Sequence, residues 1–486
     1  MTRNQNPFQF IVEENIFPII FVFFICLSYW IYLAFHTQMF IIHDAMAYEN
    51  FGRMISQKGW VDYFQSGPNR EPIYPFLVSL SMRLAEVFNI SYQSVQKFIQ
   101  IGILLVTQLF MLIVLRKLKM TLPLIVLTLL YFGLSPAVLN SALSLFSEIT
   151  TYPIILSIIV LSAHSWNSLL SLSQTQRNFG KFSQLAFGLG LLLVLMTLIK
   201  GIFELITFIF IFPYFVLLIK ATQQRERNLS LNLLCFLLVF FVTFLVPINF
   251  YKSLNKKYNG SFCLTDRGPW ALYGNTTRRM QPLSPQGVLT ALTYVPGEGL
   301  CAALFGQKSC DFWSYKQSDG YSFAKSAELR KGNLSNEEVD RIFIRISFQE
   351  ILKNPFQYIL LMGLESLKMF FWESTKIGFV VYPDWLSKIY HFTPFKNGLR
   401  LCLAILTAFS LIYTARWVWS QRRCPSHESQ DRESHALLFW TLWLIIPFTG
   451  MHAFFYVLTR YIFPIVPLYL ILISFSLQQI ISSRTH

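Results

Sequence analysis

The chain alternates between long apolar runs and shorter polar segments, and the apolar runs have the length of membrane spans. A transmembrane helix needs about 20 mostly apolar residues. We predict spans at residues 17–35, 99–115, 122–143, 149–163, 185–199, 202–219, 231–250, 397–419, 436–450 and 462–477. The pattern therefore predicts an all-α, multi-pass integral membrane protein with about ten transmembrane helices.

Two polar segments are too long to be simple connections. Segment 36–97 contains two half-length amphipathic pieces, 44–55 and 74–88. The second piece carries Arg83 and Glu86, so we predict that it lies along the membrane surface instead of crossing it. Segment 252–357 is long enough to form a small domain and is rich in turn residues.

These segments divide the chain into three predicted parts. Residues 1–250 form a membrane module that includes the loop 36–97, residues 251–357 form a loop domain, and residues 358–486 form the C-terminal part. The apolar run 358–372 is interrupted by Glu365 and Lys368. We interpret it as an interfacial or re-entrant helix, with a full span as the alternative.

Basic residues in the short loops predict the orientation. Lys and Arg accumulate on the cytosolic side of membrane proteins, and here they follow alternate spans, for example at Arg116, Lys117, Arg422 and Arg423. This places both long polar segments on the outer face. We expect a bacterial cytoplasmic membrane, with the functional site on its periplasmic side.

Composition agrees with a membrane protein. Of 486 residues, 54% are hydrophobic and 13% are charged, against roughly 25% charged in soluble domains. The net charge of +15 fits cytosolic basic loops and contact with membrane lipids, so we predict no nucleic-acid partner. Cys263, Cys301 and Cys310 share one polar segment, where one pair could form a disulfide and leave the third cysteine free.

Charged and aromatic residues gather at the predicted outer ends of several spans. Charges near a membrane interface are costly unless they are partnered or solvated. Their common side therefore predicts a polar cavity at the bilayer surface. In chain order, the residues are His43, Asp44, Tyr48, Arg70, Glu71, Tyr74, Ser147, Glu148, Lys200, Gly201, Arg460 and Tyr461. Arg70, Glu71 and Tyr74 belong to the segment 69–75, whose first residue is Asn69.

Such a cavity suits a lipid-linked phosphate ester, whose tail would lie between helices while its phosphate stays at the interface. We predict that Lys200, Arg460 and Arg70 bind this phosphate, because fixed cations stabilise a leaving phosphate as charge develops on it. An acceptor would then attack the anomeric carbon of the sugar in one inverting displacement.

The acidic residues are predicted to be catalytic. Asp44 would take a proton from the acceptor as general base, while Glu71 and Glu148 would shape the acceptor site. Four further side chains are predicted to bind substrate: His43, Tyr48, Tyr74 and Tyr461.

Structural alternatives exist for several of these residues. Asp44 and Glu148 could each cap a helix, and Lys200 could be an ordinary snorkelling lysine. The pair Arg278–Arg279 in the loop domain could grip a phosphate or face solvent, and we favour solvent.

In their order along the chain, these features resemble the GT-C superfamily of membrane glycosyltransferases. The likeness is greatest to the branch that contains the protein O-mannosyltransferases and the lipid A aminoarabinose transferase. It covers about residues 15–220 and the final span. The matching positions are Asp44–Ala45 with Tyr48, residues 70–75, Ser147–Glu148, Lys200–Gly201 and Arg460–Tyr461.

The resemblance implies a GT-C-like bundle with juxtamembrane helices. It also implies a polyprenyl-phosphate-linked sugar as donor and a lipid, glycan or protein as acceptor. Many members carry two acidic residues where this chain has Asp44 and Ala45, so Asp44 would act alone or with Glu71 or Glu148. No cofactor is required, and a divalent metal (Mg²⁺ or Mn²⁺) remains open.

Two other functions fit part of the pattern. A lipid-linked sugar flippase or polysaccharide exporter also needs a polar cavity with cations, but its charges would be distributed across the bilayer instead of clustered at one interface. A lipid-linked glycan polymerase or ligase would use a longer donor, often on a diphosphate, and the long segment 252–357 leaves that alternative open.

Overall fold

The computed structural model describes residues 16–67, 70–171, 178–373, 379–421 and 429–484. Asn69, Arg422 and Arg423, used in the predictions above, lie outside the described residues. Within the described ranges the chain is almost wholly helical, which confirms the all-α class. Nine helices there are long and apolar enough to cross a membrane, and a bent helix pair makes ten if it counts as one span.

The first half of the chain forms a helical bundle with three short helices inserted after the first span. Its elements are α1 (Phe17–His36), α2 (Asp44–Gln57), α3 (Trp60–Gln65), α4 (Ile73–Phe88), α5 (Tyr92–Lys117), α6 (Leu122–Leu134), α7 (Pro136–Ala142), α8 (Glu148–Leu170), α9 (Phe179–Ile199), α10 (Phe203–Phe210), α11 (Phe212–Gln223) and α12 (Arg227–Asn259). The two predicted amphipathic pieces correspond to α2 and α4.

The bent pair is α6 and α7, which meet at an angle of 49°. Pro136 at the start of α7 cannot continue the hydrogen bonding of α6, so the helix breaks at Ser135. The buried carboxylate of Glu373 accepts hydrogen bonds from Ser135 Oγ (2.6 Å) and Ala137 N (2.7 Å). This satisfies donors that the break would otherwise leave unpaired.

The helix that leads into the loop domain is longer than the predicted span 231–250. Helix α12 continues beyond residue 250 to Asn259 and ends at Gly260, whose φ of 83° favours glycine. The domain then contains α13 (Arg267–Arg279), α14 (Pro285–Tyr294), α15 (Glu298–Phe305), α16 (Gln307–Asp311), α17 (Tyr315–Arg330) and α18 (Asn336–Lys353). A disulfide joins Cys301 to Cys310, while Cys263 is free.

The C-terminal part returns to the bundle. It comprises α19 (Pro355–Ser366), a 3-10 turn (Leu367–Phe370), α20 (Asp384–His391), α21 (Thr393–Gln421), α22 (Ser429–Phe455), a 3-10 segment (Thr459–Ile465) and α23 (Val466–Arg484). Two short strands, β1 (Gln38–Met39) and β2 (Val380–Val381), pair antiparallel. The 12 residues of α19 extend only about 18 Å, too short for a span of about 30 Å, so a full span at 358–372 is wrong.

The last span is the most central one. Of its apolar window, 67% is buried inside the protein, against 28% for the helix Thr393–Gln421 at the periphery. Arg460 therefore opens the most enclosed helix of the bundle. We call the end of the bundle where α2–α4 and α13–α18 lie the loop end; the candidate site is there.

Candidate functional site

The site forms where α2, α8, α9, α13 and the 3-10 segment before α23 meet at the loop end. Asp44 is the first residue of α2. The N-cap is His43, at φ 50°, and no side chain caps the helix there. The alternative that Asp44 serves as the N-cap is therefore wrong, and its carboxylate points to other partners.

Three arginines surround the Asp44 carboxylate. Arg70 Nη2 donates to Oδ1 at 2.5 Å, Arg460 Nη2 donates to Oδ2, and Arg267 Nη2 lies 4.0 Å from Oδ1. Burial alone would raise the pKa of Asp44, but Arg460, Arg70 and Arg267 outweigh it and hold the pKa well below its ordinary value. Asp44 is thus a firmly ionised carboxylate in this arrangement.

A second ion pair lies beside the first. Lys200 Nζ donates to Glu148 Oε1 at 2.9 Å, which joins the residue after α9 to the first residue of α8. Burial would lower the pKa of Lys200, but Glu148, Tyr48 and Glu71 raise it above its ordinary value. Glu148 Oε2 is buried and accepts no hydrogen bond from the described residues.

Glu71 contacts the backbone instead of a cation. Its Oε1 accepts a hydrogen bond from Gly201 N at 2.7 Å. A Cβ on Gly201 would lie 3.1 Å from the same oxygen, so the close approach depends on glycine. Glu71 therefore connects the segment before α4 to the turn between α9 and α10, close to Lys200.

The predicted aromatic residues take different places. Tyr48 lies inside the cluster, with its hydroxyl 3.0 Å from Ser147 Oγ and the guanidinium carbon of Arg70 5.4 Å from its ring centre. Tyr74 is fully buried behind it, with ring centres 4.8 Å apart, and donates to Gln100.

Tyr461 and His43 make ring contacts beside the ion pairs. The guanidinium carbon of Arg460 is 5.8 Å from the ring centre of Tyr461 and 5.3 Å from that of Phe146. His43 contacts the edge of Phe379, with ring centres 6.3 Å apart, and not the ion pairs.

Arg267 is the charged residue that sequence reasoning missed. It begins α13 in the loop domain, and 44% of its side chain is exposed, so it lies at the mouth of the cluster. Its only sequence signal is a helix start, because Asp266 precedes it and Gly268–Pro269 follow it. Nothing in the hydropathy pattern connects this position to Asp44.

The charges of the cluster favour an anion. Around Asp44 itself, three arginines (Arg70, Arg267 and Arg460) face one carboxylate, and this local surplus of cations favours an anion. Asp266 and Asp319 lie within electrostatic range of Arg267 and reduce the positive charge at the margin of the cluster. A divalent metal does not fit beside Asp44, because it would meet the guanidinium groups already there. In the described part of the chain, no group of three or more His, Cys, Asp or Glu side chains could hold a metal ion.

No protein-family model matches the chain, and no similarity to a curated protein or a solved structure is detected.

Proposed function

We propose that this protein is a GT-C-type glycosyltransferase that moves a sugar from a polyprenyl-phosphate-linked donor to an acceptor on the outer face of the membrane. The observation that carries the proposal is the convergence of Arg70, Arg267 and Arg460 on Asp44 at one end of an apolar helical bundle. The order of the matching residues along the chain supports the GT-C type. Helices α2–α4 follow the first span, which is where the resemblance leads us to expect juxtamembrane helices.

Donor binding would use the cations. The polyprenyl chain lies among the apolar helix surfaces, and the phosphate reaches the guanidinium groups at the loop end. Arginine binds phosphate in a bidentate manner, and such charge-assisted hydrogen bonds are about twice as strong as neutral ones. Arg70 and Arg460 would release their hydrogen bonds to Asp44 and donate to the phosphate instead. Lys200 would add a further positive charge.

The transfer itself is a single displacement. An acceptor hydroxyl or amine attacks the anomeric carbon, and the bond between that carbon and the phosphate oxygen breaks. The bonding electron pair leaves on the phosphate, where the fixed cations stabilise it. The proton released by the acceptor passes to Asp44, and the sugar inverts its configuration.

The ion pairs of Asp44 impose an order on these steps. With its pKa held low and both oxygens engaged, Asp44 is a weak base before the donor binds. Once the phosphate takes up Arg70 and Arg460, the pKa of Asp44 rises and its oxygens become available to the acceptor. Donor binding therefore activates the base.

The test is release of free polyprenyl phosphate. Purified protein is incubated with a panel of polyprenyl-phosphate sugars and a membrane or cell-wall extract as acceptor. Asp44→Asn should abolish release while donor binding stays within a few-fold of the wild type. The matched control is Glu86→Gln, which neutralises an exposed carboxylate on α4.

The outcomes separate the alternatives. Near-normal release by Asp44→Asn would remove Asp44 from the role of base. If the wild type binds the donor lipid tightly but releases no polyprenyl phosphate from any donor, the transferase proposal fails. A lipid-linked sugar carrier or an enzyme of diphosphate-linked glycans would then explain the site.

A further inference from the structure

Helix α13 ends in two arginines that are buried, so the prediction that they face solvent is wrong. Arg278 and Arg279 are 2% and 0% exposed. Both donate to Glu365 of α19, Arg278 through Nη2 and Arg279 through Nε at 2.9 Å. Lys368 Nζ lies 3.7 Å from the same carboxylate. Three cations thus face one carboxylate, and 3 − 1 leaves two excess positive charges.

Each of the three guanidinium nitrogens of Arg279 has a hydrogen-bond partner. Besides Glu365, it donates through Nη2 to Ala453 O (2.8 Å) and through Nη1 to Phe454 O (3.2 Å). These bonds attach α13 to the end of α22. Arg279 therefore has a structural role that accounts for its burial.

Arg278 keeps one donor unused. Its Nε donates to Ser318 Oγ at 2.9 Å, and its Nη2 donates to Asn275 Oδ1 at 2.6 Å as well as to Glu365. Its Nη1 is buried and has no hydrogen-bond partner among the residues that the structure describes. A buried cationic donor without a partner is costly, so Arg278 has an unmet preference for an acceptor.

A cavity of about 290 Å³ lies against Arg278, at the low end of the range for small-molecule sites. Trp313 packs on the guanidinium, which lies 5.2 Å from its ring centre, and belongs to the buried floor of the cavity. The first turn of α14 forms one wall, where Ser284 Oγ accepts from Gly287 N at 3.0 Å. The dipole of α14 favours an anion at this turn, and Gln286 N is the amide that remains to bind it, because Pro285 has no amide hydrogen and Gly287 N is bonded to Ser284 Oγ.

We propose that this cavity binds a phosphate monoester, held by Arg278 and the first turn of α14. A phosphate monoester carries roughly −1.5 to −2 charges at neutral pH, which matches the two excess positive charges. The nearby carboxylates of Glu298 and Asp311 are exposed, share Gln307 as a donor and do not line the cavity.

The new site is separate from the Asp44 cluster. Arg267 and Arg278 are eleven residues apart on the same helix, which corresponds to about 16 Å along its axis. The inference does not depend on sugar transfer, and it is tested by binding alone.

The test uses the full chain in nanodiscs of zwitterionic lipid, titrated with glycerol phosphate by calorimetry. Gln286 is exposed on the cavity rim in the first turn of α14. Gln286→Glu should weaken binding roughly tenfold by repulsion, yet an acidic residue suits this helix position and keeps the fold intact. Gln286→Lys should strengthen binding, because it adds a positive charge to the rim.

A second variant separates the two anion sites. Arg460→Gln weakens phosphate binding at the Asp44 cluster and leaves the new cavity unaltered. Binding that persists in Arg460→Gln and is weakened when Gln286→Glu is added belongs to the new cavity. Equal binding by wild type, Gln286→Glu and Gln286→Lys would overturn the proposal, as would loss of all binding in Arg460→Gln alone.

Nanodiscs that contain phosphatidic acid distinguish the source of the phosphate. If a lipid headgroup occupies the cavity, phosphatidic acid should compete with glycerol phosphate in Arg460→Gln, and Gln286→Glu should abolish the competition. If the ligand is soluble, the titration in Arg460→Gln should be the same in both kinds of nanodisc. Either result supports a phosphate site at Arg278.

Discussion

Asp44 and Arg460 form an ion pair across 416 residues of sequence, between the first residue of α2 and the 3-10 segment that precedes α23. Arg460 opens the most enclosed span, and its guanidinium lies over the rings of Phe146 and Tyr461. Asp44 belongs to the helices inserted after the first span. The pair therefore connects the rigid bundle to the part of the chain that would receive the substrates.

Arg460→Gln should raise the KM for the lipid-linked donor roughly tenfold or more, because one charge-assisted contact to the phosphate is lost. The substitution also removes the largest of the three influences that lower the pKa of Asp44. The acid limb of the pH–rate profile should therefore move to higher pH than in the wild type. Both effects can be measured in one polyprenyl phosphate release assay run across pH.

The control for this variant is Arg345→Gln, which removes an exposed arginine from α18 in the loop domain. It should leave KM and the pH profile unchanged. If Arg460→Gln lowers kcat at an unaltered KM and an unaltered acid limb, Arg460 does not bind the donor phosphate.

Gly201→Ala tests the contact between Glu71 and the turn that follows α9. The added Cβ would lie 3.1 Å from Glu71 Oε1, so the hydrogen bond to Gly201 N must lengthen and Lys200 must shift with its turn. We expect a several-fold loss of kcat/KM with little change in melting temperature. Gly102→Ala is the matched control, since a Cβ there meets nothing within 4 Å; equal activity of the two variants would remove Glu71 from a positioning role.

The membrane helices could be predicted from hydropathy because length and apolarity suffice to define a span. Hydropathy does not reveal the break at Ser135, since the apolar run continues through it; the sequence signal for the break is Pro136, which cannot continue the hydrogen bonding of α6. The helices of the loop domain were also not predicted individually. Helices α15 and α16 have only 8 and 5 residues, and helices this short are stable only through tertiary packing. Helix α18 does have a sequence signal, the capping box of Ser335 and Glu338.

In the candidate site, too, the sequence predicts which residues belong together but not how they pair. A common predicted side of the membrane is enough to group Asp44, Glu148, Lys200 and Arg460 from the sequence alone. Their pairing is not predictable in this way, because Asp44 meets arginines from three distant segments while Lys200 is bonded to Glu148. Arg267 is not identified by its sequence, because an exposed arginine in a polar segment has no distinguishing pattern.

The disulfide between Cys301 and Cys310 should stabilise the loop domain. It closes a loop with a sequence separation of 9, and such a crosslink contributes roughly 2–3 kcal/mol by restricting the unfolded chain. Cys301→Ser should therefore lower the melting temperature of the purified protein, and a reductant should then have no further effect. Cys263→Ser is the control, because Cys263 is free and should leave the melting temperature sensitive to reductant.

Asp340 on α18 should make stability depend on pH in the opposite sense to an ordinary ion-paired carboxylate. Burial, followed by the neighbouring carboxylates of Asp266 and Glu337, raises the pKa of Asp340 from 3.8 to about 7. The folded state therefore holds this proton more tightly than the unfolded state does. Below pH 3.8, Asp340 does not lower the free energy of unfolding, because it is protonated in both states. As pH rises from 3.8 to about 7, the free energy of unfolding falls progressively.

Asp340→Asn should prevent this loss of unfolding free energy, because the amide stays neutral at every pH. Its melting temperature should equal that of the wild type near pH 4 and exceed it by a few degrees at pH 8. Melting curves of the two proteins between pH 4 and pH 8 measure the difference directly, with Glu350→Gln, an amide substitution on the same helix, as the control. A difference that is constant across this range would show that Asp340 does not titrate within it.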